Sequence, residues 1–238
     1  MADRVAKDRL FEALASSARA MGEGRRAELV DVLAQGERGV DELAKQIGQS
    51  TANTSHHLKA LAAAGLVTSR RAGTRVFYRL ASPLVEQAWD CLRQLAACQI
   101  AEFDQVAAAY LGDRGDLPVI GRDALADRVR AGAVVLDVRP EAEYYAGHIP
   151  GALPAPPEQL QRLDEFLPLI PDGEVIAYCR GEFCVFADDA VRALRAAGRP
   201  AARLEDGFPQ WRRAGLPVVT GITPGVLAPA ADAQANAS

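Results

Sequence analysis

The sequence predicts a protein of two domains, an all-α domain with a β-hairpin followed by an α/β domain with a mostly parallel sheet. Up to residue 110, apolar residues recur at helical spacing. Beyond a segment rich in Gly, Asp and Pro, short β-branched runs alternate with helical stretches, which is typical of a parallel sheet. A chain of 238 residues can form two cores. We therefore expect domains at 1–110 and 119–220, a linker at 111–118 and a disordered tail at 221–238.

Helices and one hairpin are predicted in the first domain. Ser50 can cap the helix that begins at Thr51, and Gly65 can end it. Two alternating runs, Leu66–Arg70 and Arg75–Leu80, flank the glycine of a hairpin. The predicted helices are Ala6–Ala18, Arg25–Ala34, Val40–Ile47, Thr51–Ala64 and Pro83–Tyr110.

The second domain is predicted from two short apolar runs, Val134–Asp137 and Val175–Tyr178, which resemble buried parallel strands. Helical stretches lie between and after them, and this alternation indicates an α/β fold. The predicted helices are Arg122–Ala131, Pro157–Phe166 and Phe186–Ala197.

Charge is distributed unevenly along a chain whose net charge is −4. Residues 1–110 hold 14 Lys and Arg against 13 Asp and Glu, whereas the remainder holds 13 against 18. No acidic residue occurs between Leu43 and Val85, which contain six basic residues. A basic stripe in an acidic protein favours contact with nucleic acid, although a solvated basic face would give the same pattern.

The start of the chain is charged and lacks the apolar core of a secretory signal. No apolar run is long enough to span a bilayer, so we expect a cytoplasmic protein without a membrane partner. Four cysteines in such a chain argue against a disulfide framework and for reactive or sensing thiols.

A short helix, a tight turn, a second helix and a basic hairpin together predict a winged helix-turn-helix. In this motif the second helix enters the major groove of double-stranded DNA, and a basic wing suits the phosphate backbone or the minor groove. Polar side chains of the second helix can reach base edges or phosphates. The candidate DNA-binding residues are Ser50, Thr51, Asn53, Thr54, Ser55, His56, His57, Lys59, Arg70, Arg71 and Arg75.

Four segments of this half, Ala13–Ala20, Val40–Ala44, Ser50–Val67 and Arg71–Leu80, resemble the ArsR family of dimeric bacterial repressors. The resemblance implies a repressor that binds a DNA operator as a homodimer, paired through the first and last helices of this domain. Metal-sensing members often carry a cysteine pair in the helix before the recognition helix. Here Val40–Ile47 has neither cysteine nor histidine, so we expect no metal and no other cofactor.

Two further pairs of residues could carry chemistry in this half. His56 and His57 are adjacent, so their side chains point about 100° apart on a helix and favour DNA contact or plain exposure over a shared metal. Cys91 and Cys98 are seven residues apart on one helix face. They are either small apolar residues of a dimer interface or a thiol sensor; a disulfide between them within one helix is excluded, because about 10 Å separates their backbones.

Cys179 follows a predicted buried strand and precedes a short loop and a helix. The carboxyl ends of parallel strands are where α/β folds place their ligands. A loop curled ahead of a helix directs backbone N–H groups and the positive helix end at the sulfur, which lowers the pKa of a thiol. Arg180 would add positive charge. The alternative is an inert cysteine at a strand end.

Three segments of this half, Val134–Ala152, Tyr178–Cys184 and Leu204–Trp211, resemble the rhodanese family in order. The resemblance implies that Cys179 is the nucleophile that forms a persulfide, and that the loop around it is completed by Arg180, Gly181, Glu182, Phe183 and Cys184. It also implies that four signature residues mainly hold structure, namely Asp137, Arg139, Glu143 and His148.

The loop is too short for the phosphatase relatives of this fold, and Cys184 stands where a basic residue often ends the sulfurtransferase loop. Cys184 either packs at the start of the helix or acts as a resolving thiol beside the catalytic Cys179 and Arg180.

The order of the two domains resembles a group of fused regulators, which implies a repressor that responds to sulfane sulfur. The small partner would be thiosulfate, polysulfide or a low-molecular-weight persulfide. The alternative is an active thiosulfate-type sulfurtransferase tethered to an autoregulatory DNA-binding domain.

Overall fold

The computed structural model describes residues 3–221, which form two compact units, the first ending at Asp104 and the second starting at Gln105. The segment 111–118, expected to be a linker, is held by side chains of the second unit, since Nη2 of Arg192 donates a hydrogen bond to the carbonyl oxygen of Asp113 over 2.7 Å. Apart from Gly221, the predicted tail lies outside the described residues.

The first unit is a set of helices with a three-stranded antiparallel sheet in the order β1-β3-β2. Its helices are α1 (Arg4–Met21), α2 (Gly24–Ala34), α3 (Val40–Gln46), α4 (Thr51–Ala63) and α5 (Pro83–Gln99). Its strands are β1 (Arg38–Gly39), β2 (Val67–Ala72) and β3 (Arg75–Leu80). The winged helix-turn-helix prediction is confirmed.

Local sequence explains where α4 and the hairpin begin and end. The Ser50 hydroxyl accepts a hydrogen bond from the backbone N–H of Asn53 over 3.2 Å, which satisfies one of the free donors of the first turn. Gly65 follows the helix with a φ of +73°, a conformation that glycine adopts without strain. Between β2 and β3 the pairing of Ala72 with Arg75 leaves a two-residue turn.

The core of the first unit is formed by α2, α3, α4 and the hairpin around leucine side chains that are fully buried. Leu58 and Leu61 of α4 face this core, as their spacing on the helix predicts. The other face of α4 is thereby left to its polar residues.

The single helix expected over Pro83–Tyr110 is wrong. The chain leaves helical geometry at Ile100, which has a φ of −94° and a ψ of 109°, and α6 (Phe103–Leu111) follows. Ile100 is β-branched and 55% exposed, so neither helix propensity nor packing holds it in a helix.

The second unit contains a five-stranded, wholly parallel sheet in the order β4-β8-β7-β5-β6. Its strands are β4 (Val119–Ile120), β5 (Val134–Asp137), β6 (Leu153–Pro154), β7 (Val175–Tyr178) and β8 (Ala201–Leu204). Its helices after α6 are α7 (Arg122–Arg130), α8 (Glu141–Ala146), α9 (Pro157–Leu160), α10 (Leu163–Phe166), α11 (Phe186–Ala196) and α12 (Phe208–Arg213). The predicted α/β class is confirmed, but the helix expected over Pro157–Phe166 is two short helices, because Arg162 has a non-helical ψ of 49°.

Two cores lie on the two faces of this sheet, and β7 contributes to both. Val175 and Ala177 belong to the core that contains α11, whereas Ile176 and Tyr178 belong to the other. Since side chains alternate along a strand, Cys179 continues the α11 side. The strand end therefore delivers the cysteine to the helix that follows it. Within the described residues no helix combines the length and the apolar character needed to cross a membrane.

Candidate functional site

Cys179 lies at the carboxyl end of β7, with its side chain under the loop that leads into α11. It is only 4% exposed. Gly207 packs against the loop so closely that a Cβ atom there would lie 2.2 Å from the backbone nitrogen of Gly181. Gly207 also begins the turn in which the N–H of Phe208 donates to the carbonyl oxygen of Cys179 over 3.0 Å. This glycine supports the loop from below, a role that the sequence motif alone did not identify.

The electrostatics of the loop favour the thiolate of Cys179. A hydrogen bond from the Cys184 side chain is the largest influence and lowers the pKa of Cys179, burial opposes it, and backbone hydrogen bonds with Gly181 and Ala187 lower the pKa further. The pKa of Cys184 is raised well above its usual value by the same hydrogen bond and by burial. The opposite directions of the two pKa shifts favour Cys184 as the donor and Cys179 as the acceptor, although Sγ of Cys179 also faces the carbonyl oxygens of Gly181 and Cys184 at 3.8 and 3.7 Å.

Arg180 does not supply the positive charge that the sequence led us to expect beside the sulfur. Its Nε lies 3.2 and 3.1 Å from the two carboxylate oxygens of Glu143, which is fully buried on α8. Its guanidinium also lies over the ring of Phe186, 5.4 Å from the centroid. Because the guanidinium is paired with Glu143, Arg180 connects the loop to α8.

A different arginine, Arg114, reaches the loop from the segment before β4. Its Nε lies 2.5 Å from Oδ2 of Asp188, on the first turn of α11. Its Nη1 donates to the carbonyl oxygen of Glu182 over 2.7 Å, and Nη2 donates to that of Cys184 over 3.1 Å. Sequence reasoning missed this residue because it lies in a segment rich in Gly and Asp that carries no periodicity.

The four signature residues, Asp137, Arg139, Glu143 and His148, are all buried in the second unit. Asp137 accepts hydrogen bonds from Nε of Arg139 over 2.9 Å and from the Tyr178 hydroxyl over 2.6 Å. Nδ1 of His148 lies 2.9 Å from the carbonyl oxygen of Tyr144, and the two rings stack at 3.8 Å. Burial, followed by the Asp137 charge, raises the pKa of Tyr178 well above its usual value. These groups are buried and each is hydrogen-bonded within the fold, which indicates a structural role.

Most of the predicted DNA-contacting residues lie on one accessible surface of α4 and the wing, here called the α4–wing surface. Thr54 is not part of it, because it is fully buried and its hydroxyl donates to the Ser50 carbonyl oxygen over 2.9 Å. The exposed members are Ser50, Thr51, Asn53, His56, Lys59, Arg70, Arg71 and Arg75, and the half-buried ones are Ser55 and His57.

Two basic members of the α4–wing surface face a carboxylate of the same unit. Nδ1 of His57 lies 3.4 Å from Oε2 of Glu23, the residue that caps α2. Arg70 donates from Nε to both carboxylate oxygens of Glu37, over 2.8 and 2.9 Å. Arg71 and Arg75 lie closer to the hairpin turn. Across the described residues no three His, Cys, Asp or Glu side chains are grouped so that they could hold a metal ion.

Cys91 and Cys98 are both exposed on α5 in the single chain. The helix also exposes Leu84 by 70% and Leu95 by 57%. On α1 the exposed apolar side chains are Val5, Leu10, Phe11 and Leu14. Both helices thus present apolar surface that the fold of one chain does not cover.

Comparison with known proteins agrees with this organisation. A family model for bacterial regulatory proteins of the arsR family matches residues 23–69, and a model for the rhodanese-like domain matches residues 122–214. HTH-type transcriptional regulator Rv0324 of Mycobacterium tuberculosis is 43% identical over 220 residues, which cover 92% of this chain and 96% of that protein.

Other relatives match a smaller part of the chain. HTH-type transcriptional regulator KmtR of Mycobacterium tuberculosis is 41% identical over 69 residues, 29% of this chain and 53% of KmtR. The solved homodimeric winged helix-turn-helix DNA-binding domain of Mycobacterium bovis Mb0332 is 35% identical, covers 43% of this chain and 93% of its own, and has a TM-score of 0.39. The chain therefore belongs to the ArsR family of bacterial transcriptional regulators, and its DNA-binding domain is followed by a rhodanese-like domain.

Proposed function

We propose that this regulator is a homodimeric repressor that binds operator DNA in the cytoplasm and takes up sulfane sulfur as a persulfide on Cys179, which changes its affinity for the operator. The observation that carries the proposal is the Cys179–Cys184 pair: a buried sulfur at a strand end, with its pKa lowered by a hydrogen bond from a second thiol. A stable thiolate is the form that attacks a sulfur donor.

The loading step needs only the Cys179 thiolate and a donor such as thiosulfate. The thiolate attacks the outer sulfur, a bond forms between Sγ and that sulfur, and the sulfur–sulfur bond of thiosulfate breaks. Sulfite leaves with the electron pair, so charge and atoms balance. The persulfide is an anion like the thiolate, so the backbone hydrogen bonds of the loop support it as well.

Cys184 provides a second step that would turn loading into a lasting change. Its sulfur attacks Sγ of the loaded Cys179, the bond between Sγ and the outer sulfur breaks, a disulfide forms, and the outer sulfur leaves as the hydrosulfide anion with the Cys184 proton. Two thiols are oxidised and the sulfane sulfur is reduced to sulfide. The influence of each thiol on the pKa of the other, and the 3.7 Å between Sγ of Cys179 and the carbonyl oxygen of Cys184, support such a step, because it needs the two residues close together.

Repression would depend on the α4–wing surface and on dimerisation. Two copies of α4 would each enter the major groove of a half-site, with Arg71 and Arg75 against the phosphates. The exposed apolar faces of α1 and α5 support pairing of two copies through these helices, because a monomer rarely exposes so many large apolar side chains together. Cys91 and Cys98 would then lie near the interface that sets the spacing of the recognition helices.

Mass spectrometry after incubation with thiosulfate or polysulfide tests the sulfur-carrying role. We expect 32 Da adducts on the Cys179 peptide in Cys184→Ser, which cannot complete the second step, and no adduct at that position in Cys179→Ser. Gel-shift titration of the same samples tests the response. Loading without any change in operator binding, together with rapid turnover of thiosulfate and cyanide, would instead identify an enzyme tethered to its own regulator.

A further inference from the structure

We propose that Arg114 is a positioning residue for the Cys179 loop. Its contacts also couple residues 112–118, the part of the predicted linker that follows α6, to the conformation of that loop. The inference rests on the proposed function only in taking the Cys179 thiolate as the group that accepts sulfur. Arg114 makes three separate contacts, one with the Asp188 carboxylate and two with loop carbonyl oxygens, and its side chain is 19% exposed.

The first contribution of Arg114 concerns the carbonyl oxygen of Cys184. This oxygen lies 3.7 Å from Sγ of Cys179, so its partial negative charge opposes a negative charge on the sulfur. The same oxygen accepts a hydrogen bond from Nη2 of Arg114 over 3.1 Å. The guanidinium offsets the carbonyl's effect and holds it in place. The Glu182 carbonyl is held in the same way by Nη1.

The second contribution concerns Asp188, a fully buried carboxylate whose charge acts on Cys179 to raise its pKa. Arg114 faces one carboxylate oxygen at 2.5 Å, and Nε of Arg203 on β8 faces the other at 3.6 Å. Without Arg114, the longer contact with Arg203 would have to balance the carboxylate.

The remaining charged and titratable groups packed around the sulfur do not take over this task. Arg180 is paired with Glu143 of α8, and the Cys184 thiol already donates its hydrogen to Cys179. Among the described residues, Arg114 is therefore the cation that binds the carbonyl oxygens of Glu182 and Cys184.

The third contribution is mechanical. Arg192 of α11 holds the carbonyl oxygen of Asp113, and Arg114 holds the loop and the first turn of the same helix. The two contacts fix consecutive residues of segment 112–118. If the backbone of Cys184 moves when Cys179 and Cys184 join, the contact between Arg114 and the Cys184 carbonyl oxygen is lost, and residues 112–118 lose one of their attachments.

The pH dependence of Cys179 alkylation tests the electrostatic part. The full chain is treated with iodoacetamide at a series of pH values, and labelling of the Cys179 peptide is followed by mass spectrometry. In Arg114→Gln we expect the midpoint to rise by about one pH unit, because a neighbouring cation is lost. Arg114→Lys keeps the charge but cannot bind two carbonyls and a carboxylate together, so its midpoint should rise less.

The matched control is Arg128→Gln, which removes one arginine of the same unit that pairs with Glu174 at the surface over 3.1 Å. Its midpoint should equal that of the wild type. An Arg114→Gln midpoint equal to that of Arg128→Gln would overturn the electrostatic part. Should Arg114→Gln fail to fold, the alkylation midpoint of Arg114→Lys is compared with that of the wild type instead. Equal midpoints would then overturn the electrostatic part.

Hydrogen exchange tests the mechanical part. Backbone amides of segment 112–118 should exchange faster in Arg114→Gln than in wild type, and at the wild-type rate in Arg128→Gln. Unchanged exchange in Arg114→Gln would refute the attachment. Neither measurement needs a sulfur donor. A wild-type protein that never gains sulfur on Cys179 would end the proposed function and leave the result for Arg114 standing.

Discussion

The Cys184 thiol donates a hydrogen bond to the sulfur of Cys179, and this bond is the largest single influence on the pKa of Cys179. The bond affects the two thiols in opposite directions, because it lowers the pKa of Cys179 and raises the pKa of Cys184. Loss of a proton from one thiol is therefore supported by retention of a proton on the other.

Two substitutions of Cys184 should distinguish the effect of its hydrogen bond on Cys179 from its proposed role in forming a disulfide. Cys184→Ala removes the donor, so the pKa of Cys179 should rise and alkylation should set in at higher pH. Cys184→Ser keeps a hydroxyl donor and should shift less. Alkylation profiles measured by mass spectrometry check this, and an alanine variant that titrates like wild type would contradict it.

The response of operator binding to polysulfide should depend on one of two thiol routes. If the Cys179–Cys184 bridge is the switch, Cys184→Ser abolishes the response, while Cys91→Ser and Cys98→Ser respond normally. If sulfur passes to α5, those two variants lose the response although Cys179 still loads. In wild type a coupling of about 1–3 kcal/mol would change operator affinity roughly 5–150-fold in a gel-shift titration. An affinity that polysulfide leaves unchanged would exclude sensing altogether.

Binding by the wing should depend more on Arg71 and Arg75 than on Arg70. All three side chains are exposed, and Arg71→Ala and Arg75→Ala should each weaken binding to all sequences and reduce the salt slope by about one. Arg70→Ala should have a smaller effect, because this guanidinium must leave Glu37 before it can meet a phosphate. Exposed Arg130→Ala in the second unit is the charge-matched control. Equal losses at all three wing positions would show that the Glu37 pair has no influence.

Within α4, Thr54 should affect stability, and Asn53 and His56 should affect sequence preference. Thr54→Ala removes a buried hydroxyl and its hydrogen bond, so the free energy of unfolding should fall by about 1 kcal/mol while base preference stays the same. Asn53→Ala and His56→Ala should keep stability and relax base preference. Binding to a library of operator variants, with denaturant titration beside it, measures both. A changed preference in Thr54→Ala would mean that this side chain acts on DNA after all.

Asp137→Asn should destabilise the second unit without any direct effect at the sulfur. Asp137 and Arg139 are both fully buried and paired, and removal of one charge leaves the other without compensation. Such a loss costs about 3–5 kcal/mol. The control is Asp127→Asn in the exposed pair with Arg130, which should change stability by less than about 1 kcal/mol. Denaturant unfolding followed through the second unit distinguishes them.

Local sequence patterns were sufficient to predict those elements whose geometry depends on residues only a few positions apart. The cap at Ser50, the hairpin before Arg75 and the strands Val134–Asp137 and Val175–Tyr178 could all be predicted from composition and period. Short strands such as Val119–Ile120 and Leu153–Pro154 were missed, because two residues carry no period and acquire strand geometry only from a neighbouring strand. The helix over Pro83–Tyr110 was predicted too long for a related reason. The residues around Ile100 do not indicate that its side chain is left exposed in the fold.

By itself the sequence determined that Cys179 ends a buried strand before a loop and a helix, because strand period and loop length are local properties. Only the tertiary structure decided which charges meet that loop. Arg180 is next to Cys179 in the chain but is paired with Glu143, whereas Arg114, 65 positions earlier, holds the loop carbonyls. A long, flexible arginine side chain binds whichever acceptor the fold brings within its reach, and a buried carboxylate from a distant element outweighs proximity in sequence.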